Sequence, residues 1–244
     1  MTIENKIRGK IQDHYKARSH ETADDHMHIG GKKATAHFAE KINFKPGEKV
    51  LDIGCGLGGP ARFIAQEYGV SMAGIDLSPD NIASAKALST GLSINFDVGD
   101  GLGLPYENSA FDAALTMHVG MNVPDKAGFY REIARILKPG GRLGVYDVMK
   151  TGDAPLSYPL PWAEDSQTSF LESADAIEEH LKNAGFLISA HECRHDFALE
   201  SLGKLLSNPE ISMSDERRSL LQNLLENLEN WRCSPCIFIA ERLK

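Results

Sequence analysis

Three aspartates and a histidine have the types and positions to surround a small charged ligand. Asp52 stands two residues before the first glycine of "LDIGCGLGGP", which runs from Leu51 to Pro60. That stretch holds Gly54, Gly56 and Gly59 in the G-x-G-x-x-G spacing of a dinucleotide-binding turn. A pyrophosphate carries about two negative charges, and like charges ~4 Å apart repel by roughly 4 kcal/mol at an effective dielectric of about 20. Asp52 therefore argues against a pyrophosphate and for a ligand with a cationic end. Glycines let the ligand approach the backbone closely, and the N–H groups around Gly54, Cys55 and Gly56 can take a carboxylate. Asp76, followed by Leu77, is placed to accept two ribose hydroxyls. Asp100, followed by Gly101, can accept from an adenine amino group. His118 is placed where a polar contact or a general base would be useful.

Elements that must position these groups alternate along the chain. "EKVLDIGC", "VSMAGIDL", "SINFDVGD", "FDAALTMHVG", "RLGVYDVM", "LISAHECRH" and "CIFIAERLK" read as seven short, largely apolar strands. "GPARFIAQEY" has helical spacing. "SPDNIASAKAL" is a helix with Ser78 as N-cap, Pro79 at its first position and Asp80 in its first turn. "DKAGFYREIARILKPGG" is a helix with core positions Phe129, Ile133 and Ile136, stopped by Pro139, Gly140 and Gly141. "SADAIEEHLKNAGF" is a helix ending near Gly185. Such alternation predicts a parallel sheet with helices on both faces. In open α/β sheets, ligands bind beyond the carboxyl ends of the strands. Asp52, Asp76, Asp100 and His118 all fall at such ends. Residues 1–40, 150–172 and 196–232 break the rhythm and are expected to cover that edge. In the last of them "LLQNLLENLENW" places Leu221, Leu225, Leu228 and Trp231 on one helical face.

Composition narrows the class. The chain has 244 residues, 42% hydrophobic and 25% charged, with a net charge of -8. That is ordinary for one α/β domain and opposite in sign to a nucleic-acid binder. The polar start "MTIENKIRGK" lacks a signal core, and no apolar run approaches the ~20 residues that span a bilayer. Four cysteines do not make a disulfide framework at this length. The expected location is the cytoplasm.

A ligand with a cation, a carboxylate and a nucleoside but no phosphate is S-adenosylmethionine. "VLDIGCGLGGPARFIA", "GIDLSPDNIASAK", "DVGDGLGLPYENSAFDAALTMHVGMNV" and "EIARILKPGGRLGVYDVM" together resemble the class I S-adenosylmethionine-dependent methyltransferases. They cover residues 48–149 in that family's order. The resemblance implies a Rossmann-like seven-stranded sheet, order 3-2-1-4-5-7-6, with strand 7 antiparallel and a helical cap, over a single domain from 1 to 244. It implies methyl transfer to a small molecule. "HMHIGGKKAT", "MHVGMNV" and "YPLPWA" resemble the sarcosine/dimethylglycine N-methyltransferase type and UbiE-like enzymes, which favours an amine acceptor. O- or C-methylation of a natural product or isoprenoid is the alternative. A catalytically inactive cofactor-binding module is the alternative of another class.

In related enzymes an N-terminal segment closes over the cofactor, which makes Tyr15 and His28 candidates to line the site with His118. Met121, Asn122, Trp162 and the strand-end pair Tyr146 and Asp147 are candidates for the acceptor pocket. Asp24, Asp25, His26 and His28 could suggest a metal but read better as a solvated turn. Cys233 and Cys236 form a C-x-x-C that His191, Cys193 and His195, on one face of strand six, could complete as a zinc site. Isolated cysteine pairs are more common, so no metal is expected. Cys55 reads as a small filler. The leucine-rich 217–231 helix is a candidate either to cover the pocket or to join two subunits.

Overall fold

The computed structural model describes residues 26–244. Tyr15, Asp24 and Asp25 lie outside the described residues. Seven strands form one sheet: β1 Lys49–Ile53, β2 Ser71–Asp76, β3 Ile94–Val98, β4 Phe111–Met117, β5 Leu137–Lys150, β6 Phe186–Cys193 and β7 Cys233–Arg242. Their order is β3-β2-β1-β4-β5-β7-β6. The first five pair in parallel, whereas β7 runs antiparallel to both β5 and β6.

Two apolar layers clamp the sheet. On one face α1 (Gly31–Ile42), α2 (Gly59–Tyr68) and α3 (Pro79–Leu88) pack Phe38, Ile42, Ile64 and Ile82 against Val50, Met72 and Leu115. On the other, α4 (Lys126–Ile136) and α5 (Ala174–Asn183) pack Phe129, Ile133, Ile177 and Leu181 against Leu51, Ile53, Leu143 and Val145. Alternate residues of each strand feed the two layers, as the period of two requires. Local signals set the helix starts: Ser78 Oγ accepts from Asn81 N at 3.3 Å, with Pro79 next. A third cluster lies off these layers. It joins Ile29, Met121, Leu160 and Trp162 to Leu202, Leu224 and Leu228 of α6 (His195–Ser207) and α7 (Asp215–Glu229). Among the described residues, no helix is long and apolar enough to cross a membrane.

Four details depart from the sequence expectations. The helix before strand five ends at Ile136, and β5 begins at Leu137, because Leu137 already pairs with Phe111 of β4; Pro139 to Gly141 lie within the strand. The buried face of α7 centres on Leu220, Leu224 and Leu228, with Leu221 and Leu225 half-buried beside it and Trp231 outside it. Trp231 lies past the helix end with φ 51° and is 62% exposed, stacked on His195 at 3.6 Å. His195 opens α6 and is not on strand six, so it does not share a strand face with His191 and Cys193. Cys193 and Cys236 stand opposite each other across β6 and β7 and are joined by a disulfide. Cys236 is therefore paired across the sheet, not with Cys233, which is buried and free. Side-chain donor atoms of His191, Cys193 and Cys236 lie within 4.8 Å of one another, without Cys233.

Gly144, in the middle of β5, lets α1 seat on the sheet. A Cβ there would stand 2.4 Å from Ile42 Cδ1 and 2.7 Å from Phe38 Cζ. Gly144→Val should therefore destabilise the protein by about 1–3 kcal/mol through overpacking, read as a lower urea midpoint. Wild-type stability in this variant would mean that α1 does not seat on β5.

Candidate functional site

One cavity of about 840 Å³ opens beyond the carboxyl ends of β1, β2 and β4. Its lining includes Asp52, Gly54, Cys55, Gly56, Asp76 and Leu77, then Asp100, Gly101 and His118, and on a further side Met121, Asn122 and Trp162. His28 reaches it from the segment before α1.

The loop after β1 is hung from β2. Gly54 N and Cys55 N both donate to Ile75 O, at 2.7 and 3.0 Å. Gly54 has φ 73°, and a Cβ there would stand 2.2 Å from Val119 Cγ2. Only glycine satisfies both constraints. The loop thus turns tightly enough to leave space above β1.

The Asp76 carboxylate staples this loop to the next. Its Oδ2 accepts from Gly56 N at 2.9 Å; its Oδ1 accepts from Ser78 N at 2.9 Å and Asn81 Nδ2 at 3.2 Å. A carboxylate offers about four acceptor sites, so it can still accept from a ligand. This stapling role was not foreseen from the sequence. Asp100 is held likewise, its Oδ1 accepting from Leu102 N at 2.9 Å.

Asp52 is different. It is 2% exposed, and its Oδ2 meets no donor among the described residues. Burial and the nearby Asp76 charge push it up to about 8. Such an acid is suited to a cation that the described residues do not supply.

His118 sits at φ 58°, its N–H donating to Tyr146 O at 2.7 Å. The ring lies 5.1 Å from Tyr146 and 5.9 Å from His28 between centroids. Its Nε2 is enclosed without a partner among the described residues. Burial holds His118 well below the usual histidine range and brings His28 down to about 4. Both rings are therefore neutral near pH 7. His28 Nε2 and His26 Nδ1 meet Thr35 Oγ1 of α1 at 3.0 and 2.7 Å.

Tyr146 and Asp147 are not among the cavity-lining residues. Tyr146 lies behind His118, its hydroxyl donating to Ile29 O at 3.2 Å. Asp147 instead fixes the turn that carries His118. Its Oδ1 accepts from Val119 N at 2.8 Å and its Oδ2 from Gly120 N at 3.1 Å. Burial pushes Asp147 up to about 6 against those bonds. Lys126, which sequence reasoning missed, donates to Val123 O at 2.9 Å and Phe170 O at 2.6 Å. It ties the His118 turn to the 150–172 segment. Its position in the first turn of an amphipathic helix gave no signal, since lysine there is ordinarily solvated.

The Asp52 environment has a consequence for stability. An acid whose folded pKa is about 8, against roughly 4 unfolded, penalises the folded state as pH rises. The penalty is absent below about pH 4 and grows up to about pH 8. Ligand-free Asp52→Asn should melt above wild type at pH 8, and the gap should close near pH 4. Equal melting points at pH 8 would mean that Asp52 is not held in this way.

Residues 51–145 match the family described as "Methyltransferase domain". Phosphoethanolamine N-methyltransferase 1 of Zea mays is 32% identical over 212 residues, 86% of this chain and 42% of that protein. The 2-methyl-6-phytyl-1,4-hydroquinone methyltransferase of Synechocystis is 34% identical over 67% of this chain and 59% of its own length. The chain thus spans roughly half the length of these curated relatives. A solved structure of Haemonchus contortus phosphoethanolamine N-methyltransferase 2, with phosphomonomethylethanolamine and S-adenosylhomocysteine, superposes with a TM-score of 0.81 at 22% identity. It covers 96% of this chain and 61% of that one. The matched residues run from β1 into β5 and carry the loops with Asp52, Asp76, Asp100 and His118, so this stretch of the chain belongs to the methyltransferase domain family.

Proposed function

We propose that the chain transfers a methyl group from S-adenosylmethionine to a small-molecule acceptor, an amine by preference. The observation that carries this reading is Asp52, a buried acid with an oxygen that meets no donor among the described residues, beside a glycine loop and two further strand-end acids. The residues fit the cofactor. Asp52 offers its charge to the ammonium, the Gly54–Gly56 backbone takes the carboxylate, Asp76 accepts from the ribose and Asp100 from the adenine amino group. Gly56, at φ 53°, holds the left-handed conformation that favours glycine while its N–H donates to Asp76. When bound, S-adenosylmethionine supplies an already activated methyl group.

What remains for the protein is placement. Holding donor and acceptor in line contributes ~7–11 kcal/mol. Residues 1–40, of which 26–40 are described, with 150–172 and 196–232, serve as lid and cap in this reading. His28, His118, Ile29, Trp162 and the α6–α7 pair contribute to the walls from those segments and from the end of β4. An amine must be neutral to attack, and a neutral His118 Nε2 can accept a hydrogen bond from it without charge repulsion. The phosphoethanolamine N-methyltransferase relative supports an amine. The hydroquinone methyltransferase relative favours the second reading, methylation of carbon or oxygen. That chemistry needs a base, and His118 is then the candidate. The retained donor set of the loop and the three acids speaks against an inactive binding module.

S-adenosylhomocysteine should raise the thermal midpoint, since a ligand at about 100 times its dissociation constant adds about 2.7 kcal/mol. NAD should not. A shift with NAD alone would overturn the reading. Asp76→Asn should weaken S-adenosylhomocysteine binding by about one to two orders of magnitude, the worth of hydrogen bonds to a charged group. The asparagine keeps the side-chain volume and one acceptor, enough to hold one of the two loops, whereas alanine would keep neither. Unchanged affinity would place the ribose elsewhere.

With an amine acceptor, the rate should rise with pH as the amine itself deprotonates. No inflection from His118 is expected between pH 6 and 8, because burial keeps it neutral throughout. His118→Ala should slow turnover without abolishing it. A loss of ~10²–10⁴-fold with cofactor binding intact would indicate base-assisted transfer instead.

A further inference from the structure

The acceptor end of the cavity differs in chemistry from the cofactor end. Its deep wall is made by Leu202 of α6, Leu220 and Leu224 of α7, Met121 and Trp162, each at most 3% exposed. Half-buried Leu205 and Leu221 extend that wall outward. The polar atoms of Trp162, Asn223 and Asn227 are turned to other tasks. The Trp162 indole N–H donates to Ser169 Oγ at 3.0 Å. The amides of Asn223 and Asn227 donate to Pro159 O and Ser157 O, both at 2.9 Å, so the polar flank of α7 is used on the 150–172 segment. Its leucines are left to face the chamber.

At this end of the cavity, away from Lys32 and the three acids, charge among the described residues is confined to the rim. Lys204 and Glu216 line the cavity as exposed residues, and Lys204 is ion-paired to Glu200. Arg217, also in the lining, is engaged within the protein. No lysine or arginine belongs to the deep wall among the described residues. A phosphate head buried against that wall would give up water with no lysine or arginine of the described wall residues to replace it. An apolar body gains by entering. The volume of about 840 Å³ lies toward the top of the ~300–1,000 Å³ usual for ligand sites, consistent with two molecules side by side.

We infer that the acceptor is an amphiphile, with a small polar reacting head at His118 and an extended apolar body held between α6, α7 and Trp162. This rests on the methyl-transfer reading of the same cavity and narrows it. It separates this chain from an enzyme whose acceptor is a small phosphorylated amine.

The test is a homologous series of n-alkylamines from butyl to decyl, with ethanolamine and phosphoethanolamine beside it. Binding is read by calorimetry, with and without saturating S-adenosylhomocysteine. Affinity should rise about fourfold per added methylene, the gain for burying one CH₂, while ethanolamine and phosphoethanolamine give no signal. Leu205→Asn and Leu221→Asn, at half-buried positions, should flatten the series and keep the thermal shift with S-adenosylhomocysteine. A series that is flat in wild type, tight binding of phosphoethanolamine, or an equal slope in both variants would each overturn the inference. The cofactor shift is read separately in every sample. Its absence would count against the methyl-donor reading, whereas a flat series beside an intact shift would count against the amphiphile alone.

Discussion

The side chain of Asp52 is buried at the end of β1, and its Oδ2 meets no donor among the described residues. A buried carboxylate costs several kcal/mol unless something charged or hydrogen-bonding meets it. Placed next to Asp76, it makes the cavity a strongly acid-lined corner. The surrounding backbone is arranged around that corner. Gly54 turns under Val119, the loop hangs from Ile75, and Asp76 binds Gly56 and Ser78 together. The folded chain thus stores an electrostatic cost that a cationic ligand can relieve, which makes binding and stability opposing demands on one residue.

A second constraint sets the opposite wall. Asp147 holds Val119 N and Gly120 N, so the residue before them, His118, is kept in a left-handed conformation with its ring between Tyr146 and His28. Lys126 then passes the same turn on to Phe170. Two buried charges, Asp147 and Lys126, are thereby spent on backbone groups in a segment with little regular structure. Their work is to hold the His118 ring in the cavity lining beside His28.

At the far edge of the sheet, β7 inserts between β5 and β6 and brings Cys236 opposite Cys193. Residues 43 apart in sequence become direct neighbours through strand register alone. The C-x-x-C spacing of Cys233 and Cys236 misleads for the same reason. Along a strand, the sheet partner and not the chain neighbour decides what a thiol meets.

Much of the architecture was legible in the sequence because its causes are local. Ser78-Pro79-Asp80 starts a helix wherever it occurs, Gly185 ends one, and alternating apolar runs make strands. The acid before the glycine loop argued against a pyrophosphate through charge alone, and Asp76, Asp100 and His118 were found as strand-end residues of the repeating α/β order. Only the tertiary structure decided the rest. Which face of α7 is buried depends on what packs against it, so Leu220 and Leu224 join Leu228 at its centre, Leu221 and Leu225 lie half-buried beside them and Trp231 is left outside. Tyr146 was assigned to the pocket by its strand end, but the arrival of α1 and Ile29 placed it behind His118. The staple at Asp76, the low proton affinity of His28 and His118 and the apolar acceptor wall all arise from groups far apart in sequence. Burial and long-range contact created them, and neither is written in the spacing of residues along the chain.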